Sequence, residues 1–451
     1  MVFSSSEFLF MFLPLYFAVY LLVPRVRNFT LLAFSLAFYF VGEGAFVLVM
    51  LCSVTINFLC GLFLEGPYKK LILFLGISLN LVLLIYFKYI GFILVDVLRF
   101  SSLTWSESVH LPIGISFFTF QGISYLADVY RGDAKKEKSF VNLATYISMF
   151  PQLIAGPIVR YSSVAKSLSS RRVTARNVYY GVMFFCTGLA SKVLLADSVA
   201  LIADRIFSTP VHNLHASAAW LGGLAYSFQI FFDFSGYSSM AIGVGLLIGF
   251  KFPQNFNYPY IAKSITEFWR RWHMSLSTWF RDYLYIPLGG NRGGGFKTYR
   301  NLATVFIVTG VWHGAAWNFV IWGLWHGFFI CIEKLGVGVV LKKSSAILCH
   351  AYTILIVYVG WILFRAQDLP QAISIVRQHF DFTGGVGARA FLNNESIFIL
   401  LVCFLASTPL LMFLFDKISV QPRYHQMQVS AGKSRYFGGG VLHFCYLVHP
   451  L

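Results

Sequence analysis

Apolar runs separated by short basic segments organise this chain. Residues 8–23 form the first run, followed by Arg25 and Arg27. Residues 28–41 form a short second run, and residues 46–64 a third, ahead of Lys69 and Lys70. The fourth covers residues 71–90, with apolar sequence continuing to Leu98. The fifth, residues 113–129, is closed by Arg131, Lys135, Lys136 and Lys138. A helix needs about 20 mainly apolar residues to cross a bilayer, so these runs predict membrane helices. Lys and Arg accumulate in cytoplasmic loops. The basic loops after the first, third and fifth runs therefore lie in the cytoplasm, and the N-terminus lies outside.

The alternation then breaks. Residues 140–159 are moderately apolar, contain Pro151 and the stretch IAGP at 154–157, and have basic loops on both sides. A full crossing there would violate the charge rule, so a re-entrant or interfacial segment is expected. Its Gly-Pro breaks are tolerated at membrane depth where protein or a cavity shields the backbone. Residues 178–202 again read as a span, with Lys192 and Asp197 spaced to pair. Residues 216–250 suit one steep span plus an irregular part and carry Asp233 well inside apolar sequence. Further apolar runs cover residues 302–333, 347–364 and 397–415. Lys334, Lys342 and Lys343 follow the first of these and read as cytoplasmic. The expectation is an all-α, polytopic integral membrane protein with roughly nine to twelve membrane helices. Its transmembrane domain covers residues 1–416, with the core motifs in 111–365 and a separate C-terminal segment at 417–451.

Composition agrees and removes some alternatives. Charged residues are 12% of the chain and hydrophobic residues 57%, against about 25% charged in soluble domains. The net charge of +17 follows from basic cytoplasmic loops and does not point to nucleic acid. The seven cysteines sit mostly in apolar runs without CxxC spacing, so small buried side chains are expected rather than disulfides or zinc. The N-terminus lacks a basic leader and a small-residue cleavage site, and reads as a retained first span. No internal repeat of the transporter kind is evident.

The densest polar and aromatic cluster is SITEFWRRWHMSLSTWFRDYLYIPLGGNR at 264–292, followed by VWHGAAWN at 311–318. Read as one helix, residues 264–285 place Ile265, Phe268, Trp269, Trp272, Leu276, Trp279 and Tyr283 on a single apolar stripe. Glu267, Arg270, Arg271, Thr278, Arg281 and Asp282 fall on the opposite face, and His273 at the margin. Ser264 and Glu267 form a capping box. The pattern leaves two readings open: a basic helix resting on anionic lipid, or one sealing a cavity floor. Beyond it, the Gly-rich loop with Asn291, Arg292 and Lys297 reads as a plain loop or a phosphate cradle.

His313 lies within an apolar run, and an ionisable residue there is by default a functional-site hypothesis. Imidazole can remove a proton from an attacking hydroxyl near neutral pH. Gly314 and Ala315 leave room for a substrate. His326 repeats the local WHG pattern, but at helical pitch faces away from His313 and reads as a histidine hydrogen-bonded between helices. Asp233 could orient a histidine, bind a cation or pair with a base. Trp312 and Asn318 join Asp233 and His326 as supporting candidates. No GxSxG or HExxH motif is present, which disfavours a serine hydrolase or zinc protease.

The stretches at 268–292 and 312–327 closely resemble the membrane-bound O-acyltransferase family, in its alginate O-acetylation branch, which is related to the membrane protein of teichoic-acid D-alanylation. LPIGISFFTFQGISYLADVYRGD at 111–133, FPQLIAGPIVR at 150–160, FDFSGYSSMAIG at 232–243 and VGWILFRA at 359–366 extend the likeness to about residue 370. Past about Asp381 there is no clear match. The resemblance implies a helical bundle with a central funnel, with His313 as the family's near-invariant histidine and His273 as its second functional one. It also implies acetyl-CoA as donor substrate; no metal or other cofactor is expected. The implied acceptor is a polysaccharide hydroxyl outside a bacterial inner membrane, reached through periplasmic SGNH-hydrolase-like partners. Arg270, Arg271, Arg281, Arg292 and Lys297 are the candidates for the donor's anionic end, on charge. Two alternatives are a histidine-lined transporter or channel and a non-catalytic scaffold of an acetylation complex.

Overall fold

The computed structural model describes residues 2–100, 109–292 and 294–410. The end of the last apolar run and the segment 417–451 lie outside the described residues. Within them the protein is an all-α bundle, with one isolated β-bridge between Leu214 and Val386. Its first helices are α1 (Phe8–Leu22), α2 (Arg27–Glu43), α3 (Val47–Phe63) and α4 (Lys69–Tyr89). Their lipid-sized apolar faces stay exposed, as at Phe10, Phe40, Leu48 and Phe74, as a bilayer requires. By contrast α5 (Ile115–Arg131) is buried along nearly its whole length, and the first core forms around it.

The segment after α5 enters the bundle and returns. Helix α6 (Phe140–Ser148) has nine residues, about 14 Å, too short to cross. One helical turn at Phe150–Leu153 and then irregular backbone follow, and α7 (Tyr161–Ser169) emerges beside the point where the segment began. Tyr161 donates to Glu137 at 3.2 Å, and the Ser162 amide to Asp128 near the end of α5 at 3.1 Å. The re-entrant expectation therefore matches this path. Its irregular backbone is satisfied by side chains: the Phe150 amide by Ser35, the Ile158 amide by Ser275, and the Val159 carbonyl by Tyr146.

A second core is built from α8 (Ala175–Ser208), α9 (Ala216–Leu247) and later helices. Helix α9 runs unbroken for 32 residues, about 48 Å. The expected irregular part is absent up to Leu247, because its small residues let α8 pack along its length. Two short helices follow, α10 (Ile265–Arg271) and α11 (Met274–Phe280), where one helix was expected. Then come α12 (Gly295–His313), α13 (Trp317–Ile332), α14 (Ala346–Arg365), α15 (Leu369–Gln378) and α16 (Asn394–Ala406). A third, small cluster of Phe120, Ile123, Ile158, Leu276, Trp279, Phe280 and Trp312 lies between the two cores. All six described cysteines are free, and only Cys349 and Cys403 are buried. Cys52 and Cys186 sit on exposed helix faces, so the expectation of small buried side chains holds for a minority.

Candidate active site

His273 occupies a break. The backbone turns left-handed there, at φ 42° and ψ 52°, between α10 and α11. This conformation is unfavourable for a residue with a side chain. Asn255, on the preceding loop, holds it. The Met274 amide donates to the Asn255 carbonyl at 2.9 Å, and the Ser275 amide to Asn255 Oδ1 at 3.2 Å. Ser275 Oγ also lies 2.9 Å from that oxygen, and His273 Nδ1 lies 3.0 Å from it. Because the Ser275 amide can only donate, this Asn255 atom is the acceptor oxygen. His273 must then carry its proton on Nδ1, which leaves Nε2 as a bare lone pair. Nε2 is buried and has no hydrogen-bond partner among the described residues.

The break turns His273 inward. It is 1% exposed rather than marginal, while the stripe from Ile265 to Trp279 remains buried across both short helices. Ser264 caps α10 through the Glu267 amide at 3.0 Å. Glu267 reaches back to the Lys263 amide at 2.9 Å, one residue before the cap position. At the same helix start, the Glu333 carboxylate accepts from the Ile265 amide at 2.6 Å and the Thr266 amide at 2.9 Å.

His313 is the last residue of α12. The chain is extended at Gly314 and Ala316 before α13 begins, so the two WHG patterns lie on separate, antiparallel helices. Their backbones touch: a Cβ at Gly310 would lie 2.3 Å from the Phe319 carbonyl oxygen, and one at Gly323 would lie 2.3 Å from that of Phe306. Small residues permit this approach. The hairpin presents His313 against Trp322 and Phe364, at ring-centroid distances of 4.9 and 5.1 Å.

Both histidines line one cavity of about 390 Å³ at the seam of the three cores. Trp312 lies between them, with ring centroids 6.2 Å from His273 and 4.8 Å from His313. Trp272, Trp322, Trp361, Phe234 and Phe364 supply much of the apolar wall, and Ile154 and Ala155 bring in the re-entrant segment. Ser116, Lys88 and Asp233 add polar groups. A mostly apolar pocket with a few convergent polar groups is the usual form of a small-molecule site.

The region that holds both histidines is also the region that carries the relationship to known proteins. The model of the membrane-bound O-acyltransferase family matches residues 134–366. A probable alginate O-acetylase of Azotobacter vinelandii is 44% identical over 396 residues, covering 85% of this chain and 78% of that protein. This chain belongs to the membrane-bound O-acyltransferase family. A peptidoglycan O-acetyltransferase of Helicobacter pylori is 36% identical, covering 84% of this chain and 79% of its own. A teichoic acid D-alanyltransferase of Bacillus subtilis is 32% identical over 45% of this chain and 54% of its own. Membership brings acyl transfer as the general activity and a multi-pass membrane setting.

The other candidate residues of this family member fall in three places. Asp233 lines the cavity and meets Lys192 at 2.8 Å, which also holds Asp197 at 2.5 Å. The expected Lys192–Asp197 pair is thus a triad. His326 is fully buried behind Trp322, between Trp269 and Phe268, and neither ring nitrogen has a hydrogen-bond partner among the described residues. The expected interhelical hydrogen bond is absent among the described residues. Gly360 makes room for it, since a Cβ there would lie 2.6 Å from Nε2. Asn318 is also outside the cavity and ties the start of α13 to the carbonyl of Ala366 at 2.9 Å.

The basic candidates lie on the outer face of the central segment and not on the cavity wall. Arg270, Arg281, Arg292 and Lys297 are exposed. Arg271 is held by Glu267 at 2.9 Å and the Asn257 carbonyl at 3.1 Å. Arg281 is paired with Asp282, which also binds Arg160. Sequence reasoning missed Lys88 and Asn255. Lys88 had a signal, since it is an ionisable residue inside the apolar run 71–90. Asn255, in FPQNFNYP, had none.

Proposed function

We propose that this chain is an O-acetyltransferase of a bacterial inner membrane. It passes acetyl from cytoplasmic acetyl-CoA to hydroxyls of an extracytoplasmic polysaccharide, alginate-like or another exopolysaccharide, and a periplasmic SGNH-hydrolase-like partner completes delivery. The observation that carries the reading is the pair of histidines, His273 and His313, on one cavity wall, the first held with a bare Nε2. The names of the similar proteins, an alginate O-acetylase and a peptidoglycan O-acetyltransferase, support acetyl and a glycan hydroxyl as the two reacting groups.

In this reading His313 is the general base. It takes the proton of the acceptor hydroxyl as that oxygen attacks the thioester carbonyl, then returns a proton to the departing thiolate. His273 positions the acceptor molecule by accepting, at Nε2, a hydrogen bond from a donor group beside the reacting hydroxyl, whose own proton goes to His313; accepting is the one role its Asn255-held tautomer allows while neutral. Trp312 spaces the two rings. Arg270, Arg271, Arg281, Arg292 and Lys297 form the cytoplasmic face on which the donor's phosphates bind through charge-assisted contacts. The acceptor hydroxyl belongs to the polysaccharide or to a carrier on the partner.

Radiolabelled acetyl-CoA given to the purified protein in sealed vesicles tests the proposal. The expected result is free CoA together with acetyl transfer or release, both abolished by His313→Ala. Passage of label into the vesicles without CoA formation contradicts it and favours transport.

A further inference from the structure

Lys88 stands on the cavity wall near the end of α4, in a setting that a structural role alone does not explain. Its Nζ donates to the Trp312 carbonyl and, at 3.2 Å, to Ser116 Oγ, which also lines the cavity. The ammonium group lies 5.6 Å from the Trp312 ring centroid. One reading is a cap: α12 ends at His313, and its last carbonyls need donors and favour a positive charge. The neighbouring residue argues that a charge is not required for this. Tyr89 caps the Val311 carbonyl at 2.9 Å with a neutral hydroxyl.

The charge itself therefore needs a reason. A cation at membrane depth is costly without a counter-charge. Among the described residues no carboxylate lies within ion-pair distance of Lys88. The carboxylate that lines the same cavity, Asp233, pairs with Lys192, which it shares with Asp197, and makes no ion pair with Lys88. An ammonium has three N–H donors, and the protein engages two. A neutral His273 offers only a lone pair at Nε2, so it cannot donate to a carbonyl oxygen. The cavity thus holds a proton acceptor, a cation with no direct counter-ion among the described residues and one unused donor on the same wall as His313.

We propose that Lys88 is a further catalytic residue: its ammonium group binds the carbonyl oxygen of the donor thioester and stabilises the negative charge that oxygen acquires. This rests on the acetyl-transfer reading above. In the first step the acceptor oxygen bonds to the carbonyl carbon, the hydroxyl proton passes to His313, and the C=O π pair moves onto oxygen beside Lys88. In the second step that pair re-forms the C=O bond, the C–S bond breaks, and the thiolate takes the proton from His313. Lys88 stays protonated throughout, so its gain is made in the intermediate and the transition states around it.

The test uses the full-length protein with Lys88→Gln, which keeps a capping N–H but not the charge, and Lys88→Arg, which keeps the charge. In membranes containing the complete acylation machinery, Lys88→Gln is expected to lower kcat about 10²- to 10³-fold with KM for acetyl-CoA near wild type. Lys88→Arg is expected to recover part of the rate. Binding is measured on the purified chain with two non-reacting donors, acetonyl-CoA and its trifluoromethyl ketone counterpart, whose hydrate imitates the tetrahedral carbon. Lys88→Gln should lose the trifluoromethyl compound about a hundredfold and acetonyl-CoA hardly at all, consistent with the loss of one such donor. Equal loss of both compounds, or a wild-type rate in Lys88→Gln, overturns the assignment and leaves Lys88 as a cap. Wild-type protein that binds neither compound overturns acetyl-CoA as donor, and this inference with it.

Discussion

His273 faces the cavity because of Asn255, four of whose contacts converge on the break. Its left-handed backbone costs roughly 1–2 kcal/mol, and the Met274 and Ser275 amides bound to Asn255 offset that cost. Replacing Asn255 by Leu removes the acceptor that sets the histidine's tautomer and leaves the Ser275 amide buried without a partner. Acyl transfer should fall on the order of 10²-fold, while Asn255→Asp, which keeps the acceptor oxygen, should retain more activity than Leu. Initial rates on protein of matched melting temperature decide it, and a wild-type rate in Asn255→Leu contradicts the arrangement. At this scale the sequence was partly legible. His313 stood out as an imidazole in apolar sequence, and the same rule applied to Lys88 would have found it. Asn255 could not be found, because a lone amide in a loop has no periodicity and its partner lies 18 residues away.

At the scale of elements, the apolar stripe of residues 265–283 was readable but its break was not. The period of buried residues is the same on both sides of His273, and the turn uses neither Gly nor Pro. The hairpin of α12 and α13 is hidden for a related reason: hydropathy runs straight through Gly314–Ala316, so the sequence suggests one continuous pitch and relates His326 to His313 across a break it does not show. The crossing of these helices depends on Gly310 and Gly323. Gly323→Val should force the backbones apart, at about 1–3 kcal/mol, lowering the melting temperature and the rate together because His313 terminates one of the pair. A variant with wild-type stability and rate contradicts this packing. The α8–α9 contact carries its own test. Lys192 holds two carboxylates, whereas Asp233→Asn still leaves Lys192 bound to Asp197. Lys192→Met should therefore reduce the yield of folded protein more than Asp233→Asn, and the reverse order in detergent-extracted yield contradicts the triad.

For the whole molecule, the fold gathers at one end the basic loops that the charge rule assigns to the cytoplasm. The re-entrant segment begins and ends beside the basic residues after α5, and α8 carries the chain from there to the opposite end. Arg172 and His212 lie exposed at the two ends of that passage. In a variant otherwise lacking reactive cysteines, His212→Cys should react with a membrane-impermeant maleimide from the outside, and Arg172→Cys only after the membrane is opened. Labelling of both from one side contradicts the topology. The bundle architecture was legible because a bilayer imposes length and polarity on each span. The cavity was not, since it lies where three clusters distant in sequence meet, and no local pattern records that meeting. The central claim is that this cavity performs acyl transfer through His313. The most direct measurement is the acetyl-ester content of the cell's exported polysaccharide in a strain carrying His313→Ala at normal protein level. The account predicts that the esters disappear, and an unchanged ester content contradicts it.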